Sequence, residues 1–257
     1  MRKEEPIETS DDAVLGGRLL LRQPLKGHRV GHDAILLAAA IAARAGEQAI
    51  DLGAGIGGAG LALARRIEGL NVTLVEIDAA LCALAAHNAE ANHLESRVRA
   101  IRADAEDAQA LAVAGLAAGS MDHVLMNPPF NDPRRQNVSP DPRRRLAHAG
   151  APGLLARWAK TAAYLLKPQA MLTVIWRADA LAEALLALGD GFGSVEVLPI
   201  VPRPGAPAIR VLLRAVRGGH EARRDYPALV LNDADGRPSA AAEAVLRAGG
   251  ALMVAER

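Results

Sequence analysis

The 257-residue sequence predicts an α/β fold: a doubly wound, mostly parallel sheet of seven strands, with a small N-terminal hairpin and an antiparallel C-terminal hairpin. Three observations predict it. Short apolar runs alternate with helical periodicity through the middle of the chain. A glycine-rich turn directly follows the first of those runs. The last two runs are separated only by the turn-rich stretch RPGAP.

Taken in order, residues 14–24 (VLGGRLLLRQP) read as two short strands about Gly16 and Gly17. After the basic stretch 26–32, Asp33 is expected to cap a helix over 34–44. Buried strands are expected at 48–52, 71–76, 98–102, 121–126 and 171–176. Helices are expected between them, near 57–68, 79–92, 107–117 and 153–166. Strands separated by helices in this way form a parallel sheet with right-handed crossovers. A helix near 179–188 then leads to the C-terminal pair, 194–201 and 208–216. The chain accordingly divides into an N-terminal extension (1–32), a central α/β domain (33–217) and a C-terminal extension (218–257). Segment 131–152 carries no secondary-structure signal, and a loop that long in a compact domain is usually functional or disordered.

With 51% hydrophobic residues the chain can bury a sizeable core. A formal net charge of +1 provides no overall field for a polyanion, so any such partner must be held by local clusters. The single cysteine, Cys82, is expected to pack in a helix; one cysteine forms no intrachain disulfide, which suits a reducing compartment. The N-terminus lacks the apolar core of a secretory signal, and no metal-ligand constellation accompanies His28 or His32. The longest apolar run, 35–43, falls well short of the roughly 20 residues that span a bilayer. A soluble, cytoplasmic protein without a metal is expected.

Chemistry concentrates at the strand ends. Residues 51–60 read DLGAGIGGAG, with Gly53, Gly55 and Gly58 in the dinucleotide-fingerprint spacing. Such a turn lets the backbone approach a ligand closely, but alone it fits packing or NAD binding as well. Glu76 closes the second strand, where a carboxylate can accept from both ribose hydroxyls or stand solvated. Asp104 follows the third strand, placed to accept from an adenine amino group or to cap a helix. Asp51, two residues before the first glycine, would repel a pyrophosphate but could hold an ammonium. A ligand with an ammonium, a ribose and an adenine but no phosphate is S-adenosylmethionine. After the fourth strand, Asn127-Pro128-Pro129-Phe130 forms a stiff ledge, since each proline fixes its own φ and restricts its predecessor.

With DLGAGIG, Glu76, Asp104 and NPPF in that order, residues 12–216 resemble the class I S-adenosylmethionine-dependent methyltransferases. More narrowly they resemble the amino-methylating group whose fourth motif is (D/N)PP(Y/F), and GHRVGHDAILL is similar to the bacterial tRNA(Val) adenine-N6 enzymes. The resemblance implies cofactor contacts at Asp33, Asp51, Gly53, Gly55, Gly57, Glu76 and Asp104. It also implies that Asn127 and the Pro128 carbonyl accept from a planar amine, with Pro129 stiffening the ledge and Phe130 stacking on the base. Lys26, His28 or Arg29 would meet the cofactor carboxylate, and Trp176 would line the target pocket or simply pack.

RNA is the expected partner, through Arg134, Arg135, Arg143, Arg144 and Arg145 beside the ledge. Arg210 and Arg214, which share a strand face within a second basic cluster, are further candidates, an ordinary solvated surface being the alternative. Phenylalanine at 130 also resembles the ribosomal RNA guanine-N2 enzymes, and protein glutamine methyltransferases share the ledge. Outside this class stand an NAD-type oxidoreductase, for which Tyr164 and Lys167 are wrongly spaced, and a non-catalytic RNA-binding module.

Overall fold

The computed structural model describes residues 8–26, 29–129 and 153–255. The expectations placed on Phe130, Arg134, Arg135, Arg143, Arg144, Arg145 and His28 fall outside those residues.

The first hairpin pairs β1 (Thr9–Val14) with β2 (Leu19–Pro24), antiparallel, across a 3-10 turn at Leu15–Gly17. Its first strand begins earlier than the apolar pattern suggested, because TSDD pairs through its backbone and carries no apolar face. The first helix, α1, spans His32–Ala39 with Gly31 as its N-cap. Asp33 therefore lies in the first turn and does not cap it, and the helix is shorter than the expected 34–44.

The central sheet is built from β3 (Gln48–Leu52), β4 (Asn71–Glu76), β5 (Val98–Arg102), β6 (Met121–Met126), β7 (Leu166–Arg177), β8 (Phe192–Val201) and β9 (Arg210–Arg217). The strand order β5-β4-β3-β6-β7-β9-β8 is parallel from β5 to β7, and β9 runs antiparallel between β7 and β8. Two short strands, β10 (Arg224–Asp225) and β11 (Leu229–Val230), lie parallel to β8 and bring the sheet to nine strands among the described residues. The chain thus steps outward from β3 to β5 and returns on the other side of β3 at β6. The crevice for a ligand in such a sheet opens at this reversal, outside the carboxyl ends of β3 and β6.

Helices cover both faces. On one side α1, α2 (Gly58–Arg66) and α3 (Ala79–Ala91) bury Leu36, Leu37, Leu61, Leu63 and Ala85 against the sheet. On the other, α4 (Ala108–Val113), α5 (Leu154–Leu165) and α6 (Leu181–Leu188) enclose a second cluster around Ile50, Leu52, Val124 and Val174. Both terminal extensions join the first cluster. Leu15, Leu19 and Leu21 of the hairpin share it with Leu229, Val245 and Leu252, and the last helix, α7 (Ala240–Leu246), packs beside the hairpin turn. Among the described residues, no helix is long and apolar enough to cross a membrane.

Interior strand β9 corrects one expectation. Arg214 shares a face with Arg210, but that face is covered: Arg214 is 3% exposed and pairs with Glu196 of β8 at 3.0 Å. A guanidinium so enclosed meets no RNA phosphate. Glu196 also accepts from the Tyr226 hydroxyl, at 3.2 Å. Replacing Arg214 by leucine strands a buried carboxylate, so Arg214→Leu is expected to cost about 3–5 kcal/mol. The Arg214→Leu/Glu196→Leu double variant should recover most of it, as read from urea midpoints.

Candidate active site

The glycine turn 53–57 leaves β3 through three left-handed glycines, with φ of 70° at Gly53, 57° at Gly55 and 89° at Gly57, the last being the N-cap of α2. Gly53 admits no side chain on a second count. An added Cβ would lie 2.3 Å from the ring of Trp158, a residue of α5 that is 8% exposed. Gly55 faces open space. The turn is held from the neighbouring strand: Ala54 N–H donates to Val75 O at 2.9 Å and Gly55 N–H donates to the Glu76 carboxylate at 2.8 Å. The other Glu76 oxygen accepts from Asp78 N–H at 2.9 Å. Glu76 is thus 8% exposed and braces the turn before any ligand arrives, leaving each oxygen a second lone pair.

Asp51 is the most constrained charge. It is 2% exposed and accepts the N–H of Gly60 at 2.9 Å. Gly60 must lack a side chain, since a Cβ there would fall 2.2 Å from Leu74. Burial pushes the Asp51 carboxyl up to about 7; the Gly60 N–H opposes the rise and the nearby Glu76 charge adds to it. Asp104 is exposed and opens a tight turn, its carboxylate accepting Glu106 N–H at 2.9 Å. The cap of α4 is Asp107, three residues on, so Asp104 is not that helix's N-cap. The N-terminal end of α5 is tied to the same loop by Arg157, whose Nε lies 2.5 Å from Glu106.

Strand register joins the turn to the ledge. Leu52 of β3 pairs with Met126 of β6, so the next residues, Gly53 and Asn127, leave adjacent strands side by side, about one strand spacing (~4.8 Å) apart. Asn127 is half-buried, and among the described residues its side-chain amide has no hydrogen-bond partner. Pro128 is buried and Pro129 half-buried, which anchors the ledge from below.

The structure gives Asp33 and Arg210 to each other, at 2.9 Å. The pair links the first turn of α1 to the start of β9, at the same rim as the end of β7. Trp176 is 5% exposed within the second core cluster, so it packs. Of the residues expected to meet the cofactor carboxylate, Lys26 is exposed, and the Arg29 guanidinium is bound by Asp12 of the hairpin at 2.5 Å. Cys82 is buried and its thiol is pushed up by that burial.

Three residues near the turn were not singled out from the sequence. Trp158 falls in the apolar stripe of a helix and reads as core. Ile77, 56% exposed directly after Glu76, is an apolar side chain presented at a strand end; its position beside the acid was the available signal. Asn88, buried on α3, carried no signal at all.

Residues 28–200 match the model of the methyltransferase small domain family. The chain belongs to that family. A tRNA1(Val) (adenine(37)-N6)-methyltransferase from Shewanella amazonensis is 30% identical over 224 residues, covering 86% of this chain and 91% of its own. A release factor glutamine methyltransferase from Chlorobaculum tepidum is also 30% identical, over 58% of this chain and 52% of its own. Among solved structures, a predicted O-methyltransferase from Agrobacterium tumefaciens superposes with a TM-score of 0.73 at 29% identity, covering 86% of this chain and 98% of that one. A T. thermophilus 16S rRNA guanine-N2 methyltransferase, in complex with AdoMet and guanosine, shares the fold with a TM-score of 0.58 at 22% identity, covering 83% of this chain and 51% of that one. The protein is an S-adenosylmethionine-dependent methyltransferase.

The residues present suit that cofactor: a strand-end carboxylate braced at Glu76, open space above Gly55 and the exposed carboxylate of Asp104. Glu76→Gln puts an amide NH₂ against one of the two backbone N–H donors, Gly55 or Asp78, so that bond is lost with the charge. Cofactor binding should weaken about 10- to 100-fold, the scale of a charge-assisted hydrogen bond, in equilibrium dialysis.

Proposed function

We propose that the protein methylates an exocyclic base nitrogen of RNA, and that its acceptor is adenine N6 of a tRNA. The observation that carries this reading is the amide of Asn127, without a partner among the described residues, standing beside Gly53 in the strand register. Bound S-adenosylmethionine supplies an electrophilic methyl group on a sulfonium. In this reading Glu76 accepts from the ribose hydroxyls, Asp104 from the adenine amino group, and Asp51 offers its charge to the ammonium. Ile77 gives the cofactor's adenine an apolar wall, and Gly53, Gly55 and Gly57 let the backbone approach. Asp33, at the rim, acts through its bond to Arg210, which ties the first turn of α1 to the start of β9.

An aryl amine is a poor nucleophile because its lone pair is delocalised into the ring. Asn127 Oδ1 and the Pro128 carbonyl accept its two N–H groups, which turns the lone pair out of the ring plane and towards the glycine turn. Pro129 keeps the two acceptors from relaxing, and Phe130 supplies a stacking surface worth on the order of 1–3 kcal/mol. Catalysis here is positioning and electrostatics. A base in a duplex cannot reach such a ledge, so the target is unpaired or flipped. Arg134, Arg135, Arg143, Arg144 and Arg145 supply phosphate contacts. Arg210 and Arg214, both engaged by carboxylates, are left out of this surface.

The Shewanella relative, similar along nearly its whole length, supports adenine over the alternatives. A second reading, transfer to a protein glutamine, is favoured by the Chlorobaculum relative and by the ledge itself, which suits a carboxamide equally. Labelled S-adenosylmethionine incubated separately with unmodified RNA and with protein distinguishes them. Labelled N6-methyladenosine in the nucleoside digest is the expected result. Labelled N2-methylguanosine, or label in protein alone, would overturn the adenine assignment.

A further inference from the structure

The edge of β2 that faces the domain is completed by side chains. Asn88 and Asn92, four apart on α3, both reach it. Arg22 N–H donates to Asn88 Oδ1 at 2.7 Å, and Asn88 Nδ2 donates back to Arg22 O at 3.1 Å. Leu20 N–H donates to Asn92 Oδ1 at 2.9 Å, and Asn92 Nδ2 donates to Leu20 O at 2.6 Å. The spacing matches: four helical residues rise ~6.0 Å, and two strand residues rise ~6.8 Å. Two carboxamides thereby imitate a neighbouring strand, and a hairpin that would be marginal alone is docked.

The two asparagines differ in their last bond. The second Nδ2 hydrogen of Asn92 goes to Asn88 O, within its own helix, at 2.7 Å. That of Asn88 goes to Ile56 O, in the glycine turn, at 3.0 Å. Asn88 is 0% exposed, and only one orientation of its amide meets one N–H and two carbonyls. A second tie runs in parallel. Gln23 of β2 accepts the N–H of Val30 at 3.0 Å, and the Val30 side chain lies where a Cβ on Gly58 would sit 2.6 Å from it.

We propose that Asn88 is a positioning residue for the cofactor turn, coupling hairpin docking to cofactor affinity. It touches neither cofactor nor substrate. It fixes the carbonyl of Ile56, between Gly55 and Gly57, and so the direction in which the turn presents its N–H groups. Because coupling between sites is reciprocal, cofactor binding must in turn tighten the hairpin. The inference rests on residues 53–57 being the cofactor turn.

The test compares Asn88→Ala with Asn92→Ala. Both delete a pair of hairpin bonds, and a merely structural role predicts equal effects. The expected result is that the S-adenosylmethionine Kd rises about tenfold in Asn88→Ala and less than about twofold in Asn92→Ala, one hydrogen bond being the difference. Urea midpoints should fall similarly in both. Equal Kd values would overturn the proposal. Amide exchange on the unaltered protein decides the matter even where a variant does not fold. Saturating S-adenosylmethionine should slow exchange at Leu20 and Arg22, and unchanged exchange would refute the coupling. A wild-type chain that bound no S-adenosylmethionine would instead overturn the reading of the turn, and the proposal with it.

Discussion

Asn127→Ala should lower the rate of methyl transfer by about 10²- to 10³-fold, on the scale of removing one preorganised acceptor or donor from a reacting centre, while leaving the S-adenosylmethionine Kd within about twofold. The split follows from position. The Asn127 side chain bonds to no described residue, so its loss breaks nothing that holds the glycine turn, which depends on Glu76 and Val75. Asn127→Asp should retain more activity than alanine, since an acceptor remains. Single-turnover transfer with saturating cofactor, alongside equilibrium dialysis, reads both quantities. Unchanged turnover in Asn127→Ala would remove the ledge from the mechanism.

The second large effect belongs to Asp51 and has opposite signs for stability and binding. Its folded carboxyl titrates near 7 against 3.8 in the unfolded chain. The folded state therefore holds a proton that the unfolded state has released between those values. The stability this contributes is full below about 4 and is lost as pH rises to about 7, some ~4 kcal/mol in all as an order of magnitude. Asp51→Asn should remove that loss: its urea midpoint at pH 8 should exceed that of the wild type, and the gap should close by about pH 4. Binding runs the other way. If the ammonium requires the ionised carboxylate, the wild-type Kd should be about eightfold weaker at pH 6 than at pH 7.5 by simple titration about that value. Asp51→Asn should bind weakly with a flat profile. A variant that is more stable yet binds worse is the expected cost of a strained functional charge. Equal pH dependence in both proteins would place the titrating group elsewhere.

The parts that were legible in the sequence share one physical basis. The runs QAIDL, NVTLVE and MDHVLM read as strands because strands buried on both faces are largely apolar, and Asp51 and Glu76, at or next to the ends of the first two, stood out against that background. Other features depend on partners distant in sequence. β1 was partly missed because TSDD is polar and pairs through its backbone. Asp33 and Arg210, 177 residues apart, gave no hint that each satisfies the other. Arg214 was misread because the alternation rule assigns residues to a face but does not say whether that face is covered; on an interior strand both are. Nor could spacing reveal that Trp158 fills the room that Gly53 leaves, or that Asn88 reaches from a helix to both a hairpin and a turn.

The most direct test of the central claim is the crystal structure of the protein with S-adenosylhomocysteine and adenosine. The expected result is the adenine amino nitrogen within hydrogen-bond reach of both Asn127 Oδ1 and the Pro128 carbonyl, on the side facing the glycine turn. Adenosine bound elsewhere, or with its amino group turned away from Asn127, would contradict it.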